Sequence, residues 1–133
     1  QPGHLIDVMA TCVEISGLQY PAKFGEYEID PLEGVSLVPA FKGKDLERAD
    51  ALYFEHHLNC AVRDGDWKLV RYGRTGRPAT LQAWELYDLS KDRIESNNLA
   101  KEKPELAQAL EKKWEAWAER AKVKPWPWTF DSD

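Results

Sequence analysis

Between residues 52 and 72 the chain alternates apolar and polar positions on both sides of an Asp64-Gly65 pair. Such a pair suits a two-residue type I′ turn, whose central residues both need positive φ and whose twist matches paired strands. Closing the turn there sets Arg63 opposite Asp66, Val62 opposite Trp67 and Cys60 opposite Leu69. Cys60, Val62, Trp67 and Leu69 then share one face, which packs. Asn59, Ala61, Arg63, Asp66 and Lys68 fall on the other, toward water or a partner surface. Residues 83–89, Ala-Trp-Glu-Leu-Tyr-Asp-Leu, alternate again, after a polar loop at 73–78 broken by Gly73, Gly76 and Pro78. Three or four short strands in an antiparallel sheet follow from this pattern, since a lone hairpin is marginal.

Helical spacing appears at both ends. Leu5, Val8, Met9, Cys12, Val13 and Ile15 form an apolar stripe that predicts a helix over residues 4–16. Asp7 favours the positive end of its dipole, and Gly17 is placed to close it. His4 reads as a helix-start or packing residue. Residues 18–34, with Pro21, Gly25, Pro31 and Gly34, read as a long ordered loop whose Glu26, Glu28 and Asp30 are a solvated edge before they are a metal site. Ser36 is placed to cap a short helix through Phe41 with Pro39 in its first turn, and residues 42–50 read as charged surface connection. Residues 90–100 form a polar turn region. A final helix over residues 104–122 begins at Pro104 and carries Leu106, Leu110, Trp114, Trp117 and Ala121 on one stripe. It should pack on the apolar face of the sheet, and Pro125-Trp126-Pro127-Trp128 ends it in an extended tail. The fold class is α+β: a small antiparallel sheet of about four strands packed by a long C-terminal helix.

Composition narrows the function. A chain of 133 residues is one domain in size, and its 43% hydrophobic and 31% charged residues are ordinary for a globular protein. The net charge of −5, with basic residues interspersed among acidic ones, argues against a nucleic-acid surface. No apolar run approaches the roughly 20 residues of a membrane span. Cys12 and Cys60 are too few and too far apart for a zinc site or a disulfide framework; both read as buried structural thiols, with a single bridge between them left open. The opening Gln-Pro-Gly-His, without Met, suggests that the true N-terminus lies upstream.

The chain has no Gly-rich phosphate loop and no Gly-x-Ser-x-Gly elbow. His56 and His57, read as neighbours in a strand, point to opposite faces and cannot chelate one ion together. The set Glu55, His56, His57 and Asn59 is an unusual strand end, where an imidazole can exchange a proton near neutral pH and an amide can orient a polar oxyanion. It is not a complete catalytic set.

Several stretches, in order, resemble the C-terminal region of type I, formylglycine-dependent sulfatases of the arylsulfatase kind. Residues 4–12, His-Leu-Ile-Asp-Val-Met-Ala-Thr-Cys, resemble the helix that follows the sulfatase catalytic half. Residues 31–37, Pro-Leu-Glu-Gly-Val-Ser-Leu, resemble the family's PLEGxSL turn. Residues 54–69 resemble WEHEGNRAVRxGDWKLV, and Trp84 to Leu89 with Asp92-Arg93 and Asn97-Asn98-Leu99-Ala100 resembles WELYDLxxDRxExNNLA. The last helix and Pro125-Trp126-Pro127 also match. Where the family has Glu-Gly-Asn-Arg, this chain has His57-Leu58-Asn59-Cys60.

The resemblance implies a parent enzyme that hydrolyses sulfate esters, with calcium and a formylglycine made from Cys or Ser in a Cys/Ser-x-Pro-x-Arg motif. Neither cysteine here sits in that motif, so the resemblance assigns no cofactor to this stretch and leaves nucleophile and metal ligands to an α/β, alkaline-phosphatase-like catalytic half upstream, to which the N-terminal helix belongs. That half, from the same polypeptide, and a sulfate-ester substrate are the implied partners. A periplasmic or secreted setting is the implied location. His56 and Asn59 are the residues assigned to touch substrate. Without the catalytic half, the 4–16 helix and part of the hairpin should expose apolar surface, through which the chain would dimerise. The alternative is a stand-alone, non-catalytic carbohydrate- or protein-binding module acting through its tryptophans.

Overall fold

The computed structural model describes residues 1–74 and 80–124. The chain divides into two compact units, Gln1–Ala49 and Asp50–Asp133.

In the first unit, helix α1 spans Asp7–Ser16 and ends as expected on Gly17, whose φ of 68° is left-handed and whose N–H reaches the Glu14 carbonyl at 3.2 Å. It starts three residues later than the periodicity predicted, because His4 to Ile6 form a turn in which the His4 carbonyl accepts the Asp7 N–H at 3.0 Å. The orientation of α1 leaves its apolar stripe outward, in keeping with the expectation that this helix exposes apolar surface. Its buried residues are Asp7 and Thr11, while Val8, Met9 and Ile15 are exposed. Cys12, expected inside, is also exposed. Polar anchorage decides this. The Asp7 carboxylate accepts the N–H of His4 at 2.7 Å, the N–H of Val35 at 3.0 Å and a guanidinium N–H of Arg48. The Thr11 hydroxyl donates to the Asp7 carbonyl at 2.7 Å and accepts the Leu37 N–H at 2.9 Å. Four loop and turn groups are fastened to that face, so the apolar stripe is turned away.

The expected loop over 18–34 contains a small ribbon, β1 (Lys23–Phe24) with β2 (Tyr27–Glu28), closed around Gly25 at φ 61°. Helix α2 is a single turn, Val38–Phe41, with Pro39 in it and the Ser36 hydroxyl accepting the Val38 N–H at 3.2 Å. Residues 42–50 are more than surface connection, since Arg48 is drawn inward to Asp7 until its side chain is 13% exposed.

The second unit holds the sheet. Strands β3 (Leu52–His56), β4 (Asn59–Asp64), β5 (Trp67–Arg71) and β8 (Glu85–Asp88) lie in the order β3-β4-β5-β8, each pair antiparallel. Between β5 and β8, β6 (Gly73–Arg74) pairs with β7 (Thr80–Leu81) as a separate ribbon; the rest of the 73–78 loop lies outside the described residues. The hairpin register differs from expectation. Asp64 pairs with Trp67, Arg63 with Lys68 and Val62 with Leu69, so the two-residue turn is Gly65-Asp66. Gly65 has positive φ and Asp66 does not, the glycine-first arrangement of a II′-type turn. The change moves each residue's partner by two positions, which preserves the face: Cys60, Val62, Trp67 and Leu69 still point the same way.

Helix α3 (Pro104–Arg120) covers that face. Leu110 and Trp114 close with Cys60, Val62, Leu69 and Leu86 into one core, and the Trp117 ring stacks on Tyr53 at 5.2 Å. The Trp114 indole N–H donates to the Phe54 carbonyl at 3.1 Å, tying helix to sheet. Ala118 joins this packing, whereas Ala121, predicted on the stripe, is exposed just past the helix end. On the free edge of β8, the Leu99 N–H reaches the Leu86 carbonyl at 2.8 Å and the Asn98 side-chain oxygen accepts the Leu86 N–H at 3.1 Å. Residues 98–99 therefore blunt the sheet edge. The Pro125–Trp128 tail lies outside the described residues. Among the described residues, no helix is long and apolar enough to cross a membrane.

Candidate functional site

The two residues singled out for substrate contact, His56 and Asn59, face each other across the β3–β4 ladder. They bracket a two-residue turn, His57-Leu58, in which both residues have positive φ, 49° and 73°. His57 thus leaves the strand, contrary to the expectation that it continues β3 and points away from its neighbour. The His56 and His57 rings stack with centroids 4.2 Å apart. A left-handed backbone costs a non-glycine residue about 1–2 kcal/mol, so this turn needs support. Asn59 supplies it: its side-chain NH2 donates to the His56 carbonyl at 3.0 Å and the His57 carbonyl at 3.4 Å, and its oxygen accepts the Gly73 N–H at 3.2 Å. Leu58 packs so closely on Gly73 that a Cβ there would stand 2.3 Å from the Leu58 Cβ. The tip therefore presents an exposed imidazole at His56, held by an amide committed to the backbone.

By the strand alternation, His56 and Asn59 share the sheet face with Phe54 and Ala61, opposite α3. On the helix face, the last rung consists of Glu55, Cys60 and Arg71. The Arg71 guanidinium lies 4.4 Å from the centroid of the Trp84 ring and 5.7 Å from that of Trp114. Burial pushes the Cys60 thiol up despite the opposing pull of Arg71, which keeps it a protonated, unreactive thiol. Cys12 and Cys60 are both free, so the bridge left open by the sequence is not formed. Sequence reasoning passed over Arg71, although alternation from Trp67 and Leu69 sets this cation on the apolar face.

Among the described residues, no three of His, Cys, Asp or Glu gather into a metal-binding group, and Cys12 and Cys60 lack the motif for conversion.

A four-stranded antiparallel sheet backed by one long helix is a fold found at solved sulfatase structures. A Bacteroides thetaiotaomicron structure, described as metabolism of multiple glycosaminoglycans with the label BT33336S-sulf, superposes with a TM-score of 0.63 at 22% identity over 86% of this chain and 24% of its own. The chain belongs to the sulfatase C-terminal family described as N-sulphoglucosamine sulphohydrolase, C-terminal, which residues 4–120 match. It is similar to arylsulfatase K of Xenopus laevis, 29% identical over 90% of this chain and 23% of that protein, and to arylsulfatase K of Homo sapiens, 28% identical over 82% and 20%. The chain thus spans less than a quarter of the length of these curated relatives.

Proposed function

We propose that this chain is the C-terminal portion of a sulfuric ester hydrolase, buttressing an alkaline-phosphatase-like catalytic half of the same polypeptide and forming one wall of its substrate cleft. The family match over residues 4–120 carries this reading. The catalytic half would hold the formylglycine and calcium, and the whole enzyme would work in the periplasm or outside the cell on a sulfate ester. At the cleft wall, the His56 imidazole meets substrate and Asn59 positions it by bracing the turn. That division of labour is supported by the exposed ring of His56 and the three backbone hydrogen bonds of Asn59. The apolar side of α1 docks on the catalytic half, and in its absence pairs with a second copy.

The test compares two polypeptides on a chromogenic aryl sulfate. The 133-residue chain turns over nothing, with or without calcium. A polypeptide extended upstream to include a Cys/Ser-x-Pro-x-Arg motif does, and His56→Ala in it raises KM. Turnover by the 133-residue chain, or an upstream sequence without that motif, overturns the reading.

A further inference from the structure

Beside the last rung of the helix-facing side of the sheet lies a pocket of about 440 Å³. Glu55, Cys60 and Arg71 from three neighbouring strands wall it, with Leu58 from the turn, Trp114 from α3 and Lys124 just beyond the helix. We propose that this pocket binds a flat apolar ring bearing a single anionic group, a carboxylate or sulfonate, with Arg71 as the partner of the anion.

Arg71 is short of acceptors. A guanidinium is permanently charged and carries five N–H donors. Among the described residues its one hydrogen-bond contact is the weak one from Nη2 to the Cys60 sulfur at 3.8 Å, and its Nε is buried without an acceptor. Among the described residues no carboxylate pairs with it, whereas Lys68, Lys91 and Lys113 hold Glu95, Asp88 and Asp64. Arg71 is half-buried, and a cation partly withdrawn from water without a counter-charge carries a cost that the two indoles against it offset only in part. An anion entering the pocket supplies the missing acceptor. Leu58 and Trp114 offer the apolar surface for the ring, in a volume suited to a small ligand. The carboxylates of Glu55 and Glu119, which also line the pocket, oppose a second negative charge. The inference does not depend on the sulfatase reading.

The indole N–H groups of Trp84 and Trp114, each hydrogen-bonded at a known partner, are local reporters for 15N-labelled protein. Naphthalene-2-sulfonate should shift both signals saturably, and the neutral naphthalene-2-methanol should bind about ten-fold more weakly or worse, the scale of a charge-assisted hydrogen bond. Arg71→Met should erase that difference, and Glu55→Gln should tighten sulfonate binding several-fold. Glu55→Gln and Arg71→Lys keep the test decisive where Arg71→Met fails to fold, which loss of its indole pattern would reveal. Equal binding of the neutral ring, tighter binding of the cationic 2-naphthylmethylammonium, sulfonate binding unmoved by Glu55→Gln, or no shift of either indole overturns the proposal.

Discussion

At the scale of single residues, the tip of the β3–β4 hairpin is a turn built from the wrong residue types and rescued by its neighbours. Type I′ turns favour Asn-Gly; this one uses His57-Leu58 in the left-handed region. The family pattern has a glycine where Leu58 stands, so this departure loads the turn with a Cβ that Gly73 must accommodate. Gly73 has no room for a side chain: an added Cβ would lie 2.3 Å from the Leu58 Cβ and 2.8 Å from the Leu58 carbonyl oxygen. Gly73→Ala should therefore destabilise the Asp50–Asp133 unit by about 1–3 kcal/mol, the range for overpacking. Pairing it with Leu58→Gly should recover part of the loss and leave the remainder, because the backbone clash persists. Chemical denaturation of the two single variants and the double variant reads the coupling. Strictly additive effects would show that Leu58 and Gly73 do not share the strain.

At the scale of elements, what alternation and periodicity govern was legible. The apolar face of the sheet, the long helix over it and the position of Gly17 all follow from side-chain spacing. What depends on a distant polar partner was not. The hairpin slid by two positions because Gly65, not Asp64, takes the first left-handed place, a choice that leaves the apolar face untouched and so leaves no trace in the pattern. For the candidate site, sequence located His56 and Asn59 on one strand end but could not show His57 leaving the strand or Asn59 spending its amide on the turn. Helix α1 is the clearest case: its stripe gave no sign that Asp7, bonded to residues 28 and 41 positions away, is what fastens the opposite face inward. That anchorage makes α1 acid-sensitive. Burial works to raise the Asp7 pKa, but the hydrogen bond from Arg48, the backbone N–H groups of Val35 and His4 and the charge of Arg48 outweigh it and hold the carboxyl below the ordinary range. A folded pKa below the unfolded one, near 3.9, adds stability above that pH and loses it as pH falls through the folded value. The protection of the α1 amides against hydrogen exchange, relative to their intrinsic rates, should fall on acidification below about pH 4. Asp7→Asn should cost about 3 kcal/mol at neutral pH by stranding Arg48, and flatten that acid response. An unchanged acid response in Asp7→Asn would remove Asp7 as its source.

At the scale of the whole molecule, the polar anchorage of α1 has a consequence for association. Fastening Asp7 and Thr11 inward leaves Val8, Met9, Cys12 and Ile15 outward on the same helix, and Leu5 before it is 83% exposed. Elsewhere in the same unit Phe24, Tyr27 and Phe41 are also exposed. Apolar surface of this extent marks an interface, which in the function proposed above is the docking surface for the catalytic half. By itself the chain should therefore self-associate in a concentration-dependent way in sedimentation, and Met9→Lys with Ile15→Lys should return it to monomer without unfolding α1, since neither side chain is part of the Asp7 and Thr11 anchorage. Cys12 makes a native reporter on the same helix, with buried Cys60 as its internal control. Its thiol should react readily with a soluble maleimide in the dilute chain and be shielded in the polypeptide that carries the upstream half. A chain that stays monomeric at every concentration, with Cys12 equally reactive in both polypeptides, would mean that this helix face meets only water.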